Sequence, residues 1–336
     1  MTIKDLAAMT GYAVGTVSRA LNDHPNVSDK ARAAILQAAK EHGFQLNTNA
    51  KQLKQSSSNT ILVIVKGTGN ELFAEMLEYI QPLIARTRYE LMVDYLDEDS
   101  NEVIRAVQLC REKKPVGILF LGGATQNFAA DFDKIDIPCV EVTNDSSSLG
   151  FANLSSVTTD DREAARAAID TLIGCGHRRI AVIGGDRKTS DVARLRYEGC
   201  MLSFREHGID FDPETDYQSI RFSFEEGYKA TKKLLKNNKD YTAIFAVSDV
   251  MTIGAIRALW EAGKKVPEDV SIIGLDGLAM GRYLIPQLST VKQDFKAIAL
   301  RSVQILLDCL EEDVHARHET VPFQVLRSES IRSISR

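Results

Sequence analysis

Between residues 60 and 275 the sequence alternates short apolar runs with longer amphipathic stretches, and this pattern constrains the fold more than any other feature. Runs typical of strands lie at 61–65, 91–95, 117–121, 139–142, 180–183, 243–247 and 270–274. Stretches typical of helices lie at about 71–87, 101–113, 161–175, 190–207, 224–237 and 250–263. Such alternation indicates βαβ units and parallel sheets. In a chain of 336 residues, too long for one core, it predicts two doubly wound lobes with a cleft between them.

The first 46 residues follow a different pattern, that of three short helices. Thr2 and Asp5 form a helix-start signal, and Gly11 suits a tight turn after the first helix. A second helix is predicted over Val14–Leu21, and Ser28 is placed to cap a third. Two short helices that meet at a glycine turn and pack on a third indicate a helix-turn-helix. A three-helix bundle that binds nothing fits the same pattern.

Charge is distributed unevenly along the chain. Residues 1–58 contain seven Lys and Arg against four Asp and Glu, so this segment carries +3, and the remainder, by subtraction from −5, carries −8. Lys and Arg bind DNA phosphates and displace counterions, so a basic head on an acidic body favours DNA binding. Charge alone does not decide between a DNA-binding head and an inert bundle.

Residues 48–58 lack an apolar period long enough to fold on their own, and they end in Gln-Ser-Ser-Ser. A helix of this length is unstable in water without partners, so one interpretation is a plain flexible linker. The other is a segment that becomes helical only on DNA. The isolated apolar side chain of Leu53 favours the second interpretation, because it has little structural use in a polar linker.

Several classes of protein are disfavoured by what the sequence lacks. The five cysteines are far apart and form no C-x-x-C pair, which argues against disulfides and a metal site. With no run of 18 apolar residues and no signal-peptide core, we expect a cytoplasmic protein without membrane association. Gly67-Thr68-Gly69 follows a strand, but Leu72 replaces the third glycine of a dinucleotide loop. We therefore expect neither a cofactor nor catalytic residues, and an enzyme is the least favoured class.

The N-terminal motifs closely resemble the headpiece of the lactose-repressor (LacI/GalR) family. They are Thr2–Ala7, Thr16–Asn22, Val27-Ser28, Gly43-Phe44 and the hinge-like segment Asn47–Lys54. The resemblance covers every element of the headpiece at the family's spacing. It implies a DNA-binding helix-turn-helix headpiece at 1–46, followed at 47–59 by a hinge helix and linker. In that family the hinge pairs with its twin from a second subunit in the minor groove.

The resemblance also implies which residues contact DNA. The expected set is Thr2, Val14, Gly15, Thr16, Ser18, Arg19, Asn22, Asn47, Ala50 and Leu53. Among these, the base-reading positions are Val14, Gly15 and Arg19, and the phosphate-contacting positions are Thr16, Ser18 and Asn22. Arg19 has independent support, because a guanidinium bonds guanine bidentately, and Leu53 matches a wedge that kinks the duplex. Ala13 departs from the family, which usually places a capping Ser there.

The rest of the chain resembles the effector-binding core of the same family, which is similar to periplasmic sugar-binding proteins. The matching strings are Asn70–Glu75, Gly176–Ala181, Arg196–Gly199, Ser248-Asp249, Gly254-Ala255 and Ile285–Phe295. The resemblance implies one effector-binding and dimerisation core at 60–336. Its first lobe is expected at about 60–158 and 290–320, and its second at about 159–289 and 321–336.

Sugars are held by planar polar groups on their hydroxyls and by aromatic faces on their C–H surfaces. The residues that match effector-binding positions of the family are Phe73, Thr143, Arg196, Phe222, Ser248, Asp276, Gln293 and Phe295. Two alternatives stay open: Phe73 and Phe295 as core residues, and Arg196 as a surface ion pair. Ser248 and Thr143 replace an Asn and an Asp that are common in the family, so the effector is not fixed as a simple hexose.

Together these features predict a homodimeric transcriptional repressor that binds palindromic double-stranded operator DNA. A small-molecule effector, expected to be a carbohydrate, binds between the lobes and weakens DNA binding by moving the hinge. The same architecture with a co-repressor or a non-sugar ligand is an alternative. A sugar-binding protein without a DNA function is another, although it would have no use for the headpiece. With no heptad repeat at the C-terminus, a tetramerising coiled coil is not expected.

Overall fold

The computed structural model describes residues 3–21, 27–42, 59–68, 70–237, 239–312 and 314–334. The chain divides into two compact units, residues 1–58 and 59–336, which are described separately. Five of the expected DNA contacts, Thr2, Asn22, Asn47, Ala50 and Leu53, lie outside the described residues.

The described part of the N-terminal unit, residues 3–21 and 27–42, forms three helices, α1 (Ile3–Thr10), α2 (Val14–Leu21) and α3 (Asp29–Glu41). Gly11 adopts a φ of +73° between the first two, as the turn requires, and the Ser28 side chain accepts a hydrogen bond from the amide of Ala31. The buried side chains come from all three helices and from Val27, which precedes the Ser28 cap of α3: Leu6, Ala7, Val17, Ala20, Val27, Ala31, Ile35 and Ala39. The predicted helix-turn-helix arrangement is therefore confirmed.

The first lobe of the second unit is a six-stranded sheet. In spatial order its strands are β11 (His318–Thr320), β5 (Leu154–Thr158), β4 (Cys139–Val142), β3 (Gly117–Leu121), β1 (Thr60–Lys66) and β2 (Glu90–Leu96). All neighbours are parallel. Its helices are α4 (Glu71–Ile84), α5 (Glu102–Lys113), α6 (Thr125–Asp131) and α12 (Phe295–Glu311). Successive residues of β1 pack into different hydrophobic clusters, as expected for a sheet covered on both faces.

The second lobe repeats this design. Its strands, in spatial order, are β12 (Phe323–Leu326), β10 (Ser289–Gln293), β9 (Ser271–Asp276), β8 (Ala243–Ala246), β6 (Ile180–Gly184) and β7 (Tyr217–Ser219). Only the β10–β12 pair is antiparallel among the described strands. Its helices are α7 (Asp161–Gly174), α8 (Asp191–Glu206), the short α9 (Pro213–Asp216), α10 (Phe224–Lys236) and α11 (Asp249–Glu261).

The chain passes between the lobes at three places, after β5, after β10 and after β11. All of β10 (Ser289–Gln293) pairs within the second sheet, so the chain returns to the first lobe only after Gln293. The sequence had predicted this return at about residue 290. All seven predicted strands and six predicted helices are present, with ends that shift by up to three residues. The pair of doubly wound sheets is confirmed. None of the helices in the described part of the chain has the length and apolarity to span a membrane.

Packing between helix pairs in the second lobe depends on glycines that let backbones approach closely. A Cβ atom added at Gly254 of α11 would lie 2.0 Å from the carbonyl oxygen of Phe224 in α10, which cannot move without displacing a helix. At Gly174, the last residue of α7, an added Cβ would meet nothing within 4 Å.

We predict that Gly254→Ala destabilises the protein by about 1–3 kcal/mol, because the added methyl overpacks the α10–α11 contact and outweighs the better helix propensity of alanine. Gly174→Ala is the matched control and should leave stability unchanged or slightly raised. Urea unfolding of the two variants and the wild type measures the difference. Equal midpoints for Gly254→Ala and the wild type would contradict the packing argument.

Candidate functional site

The outer face of α2 presents the predicted base-reading positions. Val17 and Ala20 are buried against α1 and α3, which fixes the rotation of the helix. Gly15 and Arg19 are consequently exposed on the opposite side, and Val14, about one turn before Val17, is exposed at the edge of the buried face. A helix anchored on one face and exposed on the other can enter a major groove.

The start of α2 has no side-chain cap from residue 13, because Ala13 provides only its backbone. The carbonyl oxygen of Ala13 accepts hydrogen bonds from the amides of Thr16, at 2.8 Å, and Val17, at 3.0 Å. The predicted phosphate-contacting residues Thr16 and Ser18 are partly exposed near this end of the helix. The helix therefore forms without the family's serine.

A cavity of about 380 Å³ lies between the two lobes of the core, at the carboxyl ends of the parallel strands. This is the position where open α/β sheets bind ligands. Five of the eight predicted effector residues line it: Phe73, Thr143, Arg196, Phe222 and Asp276. The other three, Ser248, Gln293 and Phe295, do not reach the cavity wall.

Arg196, on α8, is a buried ion-pair residue and not the surface one that the sequence left open. Its Nε donates to Asp161 Oδ1 at 2.7 Å, its Nη1 donates to the carbonyl oxygen of Val247 at 2.5 Å, and Asp276 Oδ1 lies 3.7 Å from Nη1. Burial opposes the charged form, but the two carboxylates outweigh it and raise the pKa of Arg196 above its ordinary value. The guanidinium is therefore a fixed cation on the cavity wall.

Ser248 and Gln293 act on the cavity through Asp276. The Ser248 hydroxyl donates to Asp276 Oδ2 at 2.7 Å and the Gln293 amide donates to Oδ1 at 3.0 Å. Burial raises the pKa of Asp276, while Arg196 and these two donors oppose the shift. Sequence reasoning placed Ser248 and Gln293 on the ligand, whereas the structure places them behind Asp276, where they orient its carboxylate.

Two of the cavity residues have strained backbones. Thr143, after β4, has a φ of 80°, and Asp276, at the end of β9, has a φ of 132°. Residues other than glycine avoid this region, and a β-branched residue avoids it most. Strain of this kind persists where surrounding contacts enforce it, commonly at ligand sites. Here the Thr143 carbonyl oxygen accepts from the Thr158 hydroxyl at 2.8 Å, and its amide pairs with Val157.

Two phenyl rings from opposite lobes line the cavity. Phe73 belongs to α4, and its ring lies against Gly122 at the end of β3. Phe222 follows β7, and its ring lies against Gly185 after β6. Phe295 instead packs in the hydrophobic core at the start of α12, which is the core placement that the sequence left open for it. Aromatic faces are thus available from both sides of the cavity.

The wall formed by the first lobe contains a charged pair that the sequence analysis missed. Lys66, the last residue of β1, donates from Nζ to Glu102 Oε2 at 2.7 Å. The other carboxylate oxygen of Glu102 accepts from the amide of Ala124, and Asn127 also donates to Oε2. Lys66 ends an apolar strand at the sheet edge where ligands bind, and this position in the sequence could have identified it as a site residue. Glu102, at the start of α5, gave none.

Below this wall a second carboxyl group is completely buried. Glu141 of β4 accepts a hydrogen bond from the Asn144 amide at 3.0 Å, and its Oε2 has no hydrogen-bond partner within the described part of the chain. Burial raises the pKa of Glu141 to about 8, and the nearby negative charge of Glu102 adds to the rise. The carboxyl group is therefore protonated at neutral pH.

Hydrogen bonds and ion pairs cross the cleft at three places. Arg221 of the second lobe contacts Asp97 at 2.7 Å and Glu98 at 3.5 Å in the first. The amide of Thr125 donates to Asp191 at 2.9 Å, and that of Ala279 donates to Glu75 at 2.8 Å. Most of these side chains are solvent-accessible, and exposed ion pairs contribute at most about 1 kcal/mol each. The polar contacts across the cleft are therefore individually weak.

An exposed helix-turn-helix face joined in one chain to a two-lobed core with an interlobe cavity defines a DNA-binding regulatory protein. Comparison with known families agrees. Residues 2–47 match the bacterial regulatory proteins of the lacI family, and residues 169–331 match a periplasmic binding protein-like domain. The HTH-type transcriptional regulator MalR of Clostridium butyricum is 34% identical over 339 residues, which cover 99% of this chain and 100% of MalR.

The chain belongs to the LacI family of transcriptional regulators. Its fold is similar to that of the lac repressor dimer bound to operator and the anti-inducer ONPF, with a TM-score of 0.75, 24% identity and 99% of each chain covered. A LacI-family regulator from Enterococcus faecium with bound ribose covers 82% of this chain and 100% of its own length, with 25% identity and a TM-score of 0.71. Family membership confirms the predicted class, a transcription regulator and not an enzyme.

The buried Glu141 makes a pH-dependent contribution to stability. Its pKa rises from 4.5 to about 8 on folding, so between these values the unfolded chain releases a proton that the folded chain keeps. The contribution of Glu141 to the free energy of unfolding therefore falls by on the order of 4 kcal/mol as the pH rises from about 4.5 to 8. We predict that Glu141→Gln removes this loss, so that the variant gains stability relative to the wild type as the pH rises. Denaturant unfolding across pH 5–8.5 measures it.

The control is Glu312→Gln, which removes an exposed carboxylate and should follow the wild-type pH profile. A constant difference between Glu141→Gln and the wild type across this pH range would show that Glu141 is ionised in the folded protein.

Proposed function

We propose that this protein is a homodimeric repressor of palindromic operator DNA, and that a small uncharged or sugar-like molecule in the interlobe cavity controls it. The observation that carries the proposal is the cavity itself. It is lined by aromatic rings from both lobes and by the fixed Arg196–Asp276 pair, in a chain whose head exposes a recognition helix. The names of the similar proteins support it, since one is bound to operator and another to ribose.

The proposed mechanism couples the two sites through the angle between the lobes. A ligand that contacts both walls favours one interlobe angle, and only such a differential interaction can shift the equilibrium. The weak contacts across the cleft allow the shift. The first strand of the core, β1, begins at Thr60, directly after the hinge segment, so a change in the first lobe's orientation changes the position from which the hinge starts. We propose that the ligand in this way weakens DNA binding.

Dimerisation is proposed from the symmetry of the target and from the surface of the second lobe. Reading a two-fold operator requires two heads related by a two-fold axis. Tyr283 and Ile285 lie on the segment before β10 and are 84% and 95% exposed. Large apolar side chains this exposed are typical of a surface that a partner covers, and a second copy of the chain fits that role.

We predict that Arg19→Met weakens binding to the preferred DNA sequence by about 1–3 kcal/mol and relaxes the preference at one base pair of each half-site. The preferred sequence is first selected from a random duplex library with the full-length protein, and affinities are then measured by fluorescence anisotropy at fixed salt. Lys40→Met is the matched control, since it removes the same charge from an exposed position on α3 and should keep the base preference. Equal base preferences in Arg19→Met and wild type would reject the reading role.

We predict that Phe222→Ala weakens ligand binding about tenfold and reduces ligand-induced release of DNA in proportion, with DNA affinity in the absence of ligand unchanged. The loss of one aromatic face from the cavity is the reason. Ligands are identified by thermal shift against a saccharide panel, because a molecule that binds only the folded state raises the melting temperature. Phe224→Ala removes a ring two positions further on, which does not line the cavity, and serves as the control. If Phe222→Ala responds to the ligand as the wild type does, the ligand does not bind against Phe222 and the assignment of the site is wrong.

A further inference from the structure

Both cations that line the cavity are neutralised by the protein's own carboxylates. Lys66 is paired with Glu102 at 2.7 Å, and Arg196 with Asp161 at 2.7 Å and Asp276 at 3.7 Å. All three of these carboxylate side chains are buried, with at most 4% of their surface exposed. Burial of this kind makes the pairing permanent, because removing either partner leaves a charge without compensation. Neither cation is available to neutralise a charged ligand.

Helix amino termini are the second common way to bind an anion, and here those that line the cavity are occupied. The side chains of Asn70, Asn101 and Ser190 cap α4, α5 and α8 by accepting from amides of the first turn. At α6 two carboxylates take this place, since Ala124 donates to Glu102 and Thr125 to Asp191. A phosphate or carboxylate on a ligand would have to displace these groups.

The rim of the cavity adds negative charge. Glu98 and Asp99 line it on the first-lobe side, and Arg221, the cation that faces them, also contacts Asp97. Three carboxylates thus share one guanidinium. The electrostatic field in the cavity is neutral to negative, which disfavours an anionic ligand.

The cavity nevertheless offers many hydrogen-bonding groups. The carboxamide oxygens of Asn70 and Asn101 are used as helix caps, which leaves their amide groups as donors on the cavity wall. Asn127 and Asn144 are arranged the other way: their amides donate to protein oxygens, which leaves their carboxamide oxygens as acceptors. Hydroxyl groups, which both donate and accept, match such a mixed surface.

We propose that the effector is an uncharged polyhydroxyl compound, a neutral saccharide, and that the Lys66–Glu102 pair is the first-lobe subsite that binds adjacent hydroxyls. The inference rests on the proposed function and specifies its ligand. Of the three Nζ hydrogens of Lys66, one is directed to Glu102, so the others can donate to hydroxyl oxygens while the pair carries no net charge. Glu102 also fixes the position of the ammonium group, so the donors are in place before the ligand binds.

The test compares neutral sugars with their charged counterparts on the full-length protein. The probes are glucose, ribose and cellobiose against glucose 6-phosphate, ribose 5-phosphate and glucuronate, each measured by thermal shift and by titration calorimetry. We expect binding from the neutral set only. A charged probe that binds more tightly than its neutral counterpart, or no binding from any neutral probe, overturns the inference.

Two variants test the subsite. Glu102→Gln leaves the Lys66 ammonium without a counter-charge, so it should weaken the neutral ligand about tenfold or more and create binding of the phosphorylated counterpart. The double variant Lys66→Met/Glu102→Gln preserves net charge, and it should weaken the neutral ligand without gaining the phosphorylated one. It also serves if the single variant does not fold. Unchanged affinity for the neutral ligand in the folded variants rejects the subsite.

Asp94→Asn is the matched control, since it removes the counter-charge of Arg105 in the same lobe, away from the cavity. It should leave both ligand classes unaffected. Gain of phosphorylated-sugar binding by this control as well would show a nonspecific charge effect and overturn the assignment to Glu102.

Measuring DNA affinity in the same samples distinguishes failure of the inferred ligand class from failure of the proposed function. A charged sugar that binds and releases DNA contradicts the inference and keeps the proposed function. A neutral saccharide that binds at Lys66–Glu102 without changing DNA affinity supports the ligand class and contradicts the proposed function.

Discussion

The buried guanidinium of Arg196 joins the elements on which the second half of the cavity depends. It connects the start of α7 through Asp161, the end of β8 through the carbonyl oxygen of Val247, and the end of β9 through Asp276. Burying a charge this deeply is costly unless it is paired and hydrogen-bonded, so the three elements must meet at this point for the lobe to be stable. The positions of Ser248 and Gln293 follow, because both donate to the same Asp276 carboxylate.

Contacts within a lobe and contacts between lobes differ in strength. Inside each lobe, helices cover the sheet in a hydrophobic core, and the cost of opening this core is that of unfolding. One hydrophobic cluster also continues from the first lobe into the second. In the cleft itself, the lobes contact each other through hydrogen bonds and ion pairs such as Arg221–Asp97, and both of these side chains are about half exposed. The chain also crosses between the lobes three times. Strong packing within each lobe and weak contacts across the cleft are the condition under which a ligand can change the interlobe angle.

The sequence was sufficient for the architecture and for part of the site. Regular periodicity predicted most of the long elements, but not α12, the longest helix described, nor the strands β7, β10, β11 and β12. The strand β5 was missed because Ser155 and Ser156 make a buried strand look polar. Their hydroxyl groups contact Arg317 and His318, far away in sequence. Motifs identified Arg196 and Asp276. The motifs did not show that Ser248 and Gln293 lie behind Asp276, away from the cavity. The Lys66–Glu102 pair was missed because its two residues are 36 positions apart and meet only when β1 and α5 pack together.

The strained residues Thr143 and Asp276, one on each wall of the cavity, affect how the free energy of ligand binding is used. Thr143 is held by hydrogen bonds to β5, and Asp276 by Ser248, Gln293 and Arg196, so both keep unfavourable φ angles. Each wall is therefore ordered before a ligand arrives, and binding does not have to supply that ordering free energy. Little of the binding free energy is needed to rearrange the walls locally. Most of the binding free energy of a ligand that spans the cavity can therefore favour one interlobe angle over another. In the proposed mechanism, preordered walls and weak contacts across the cleft act together to couple ligand binding to the interlobe angle.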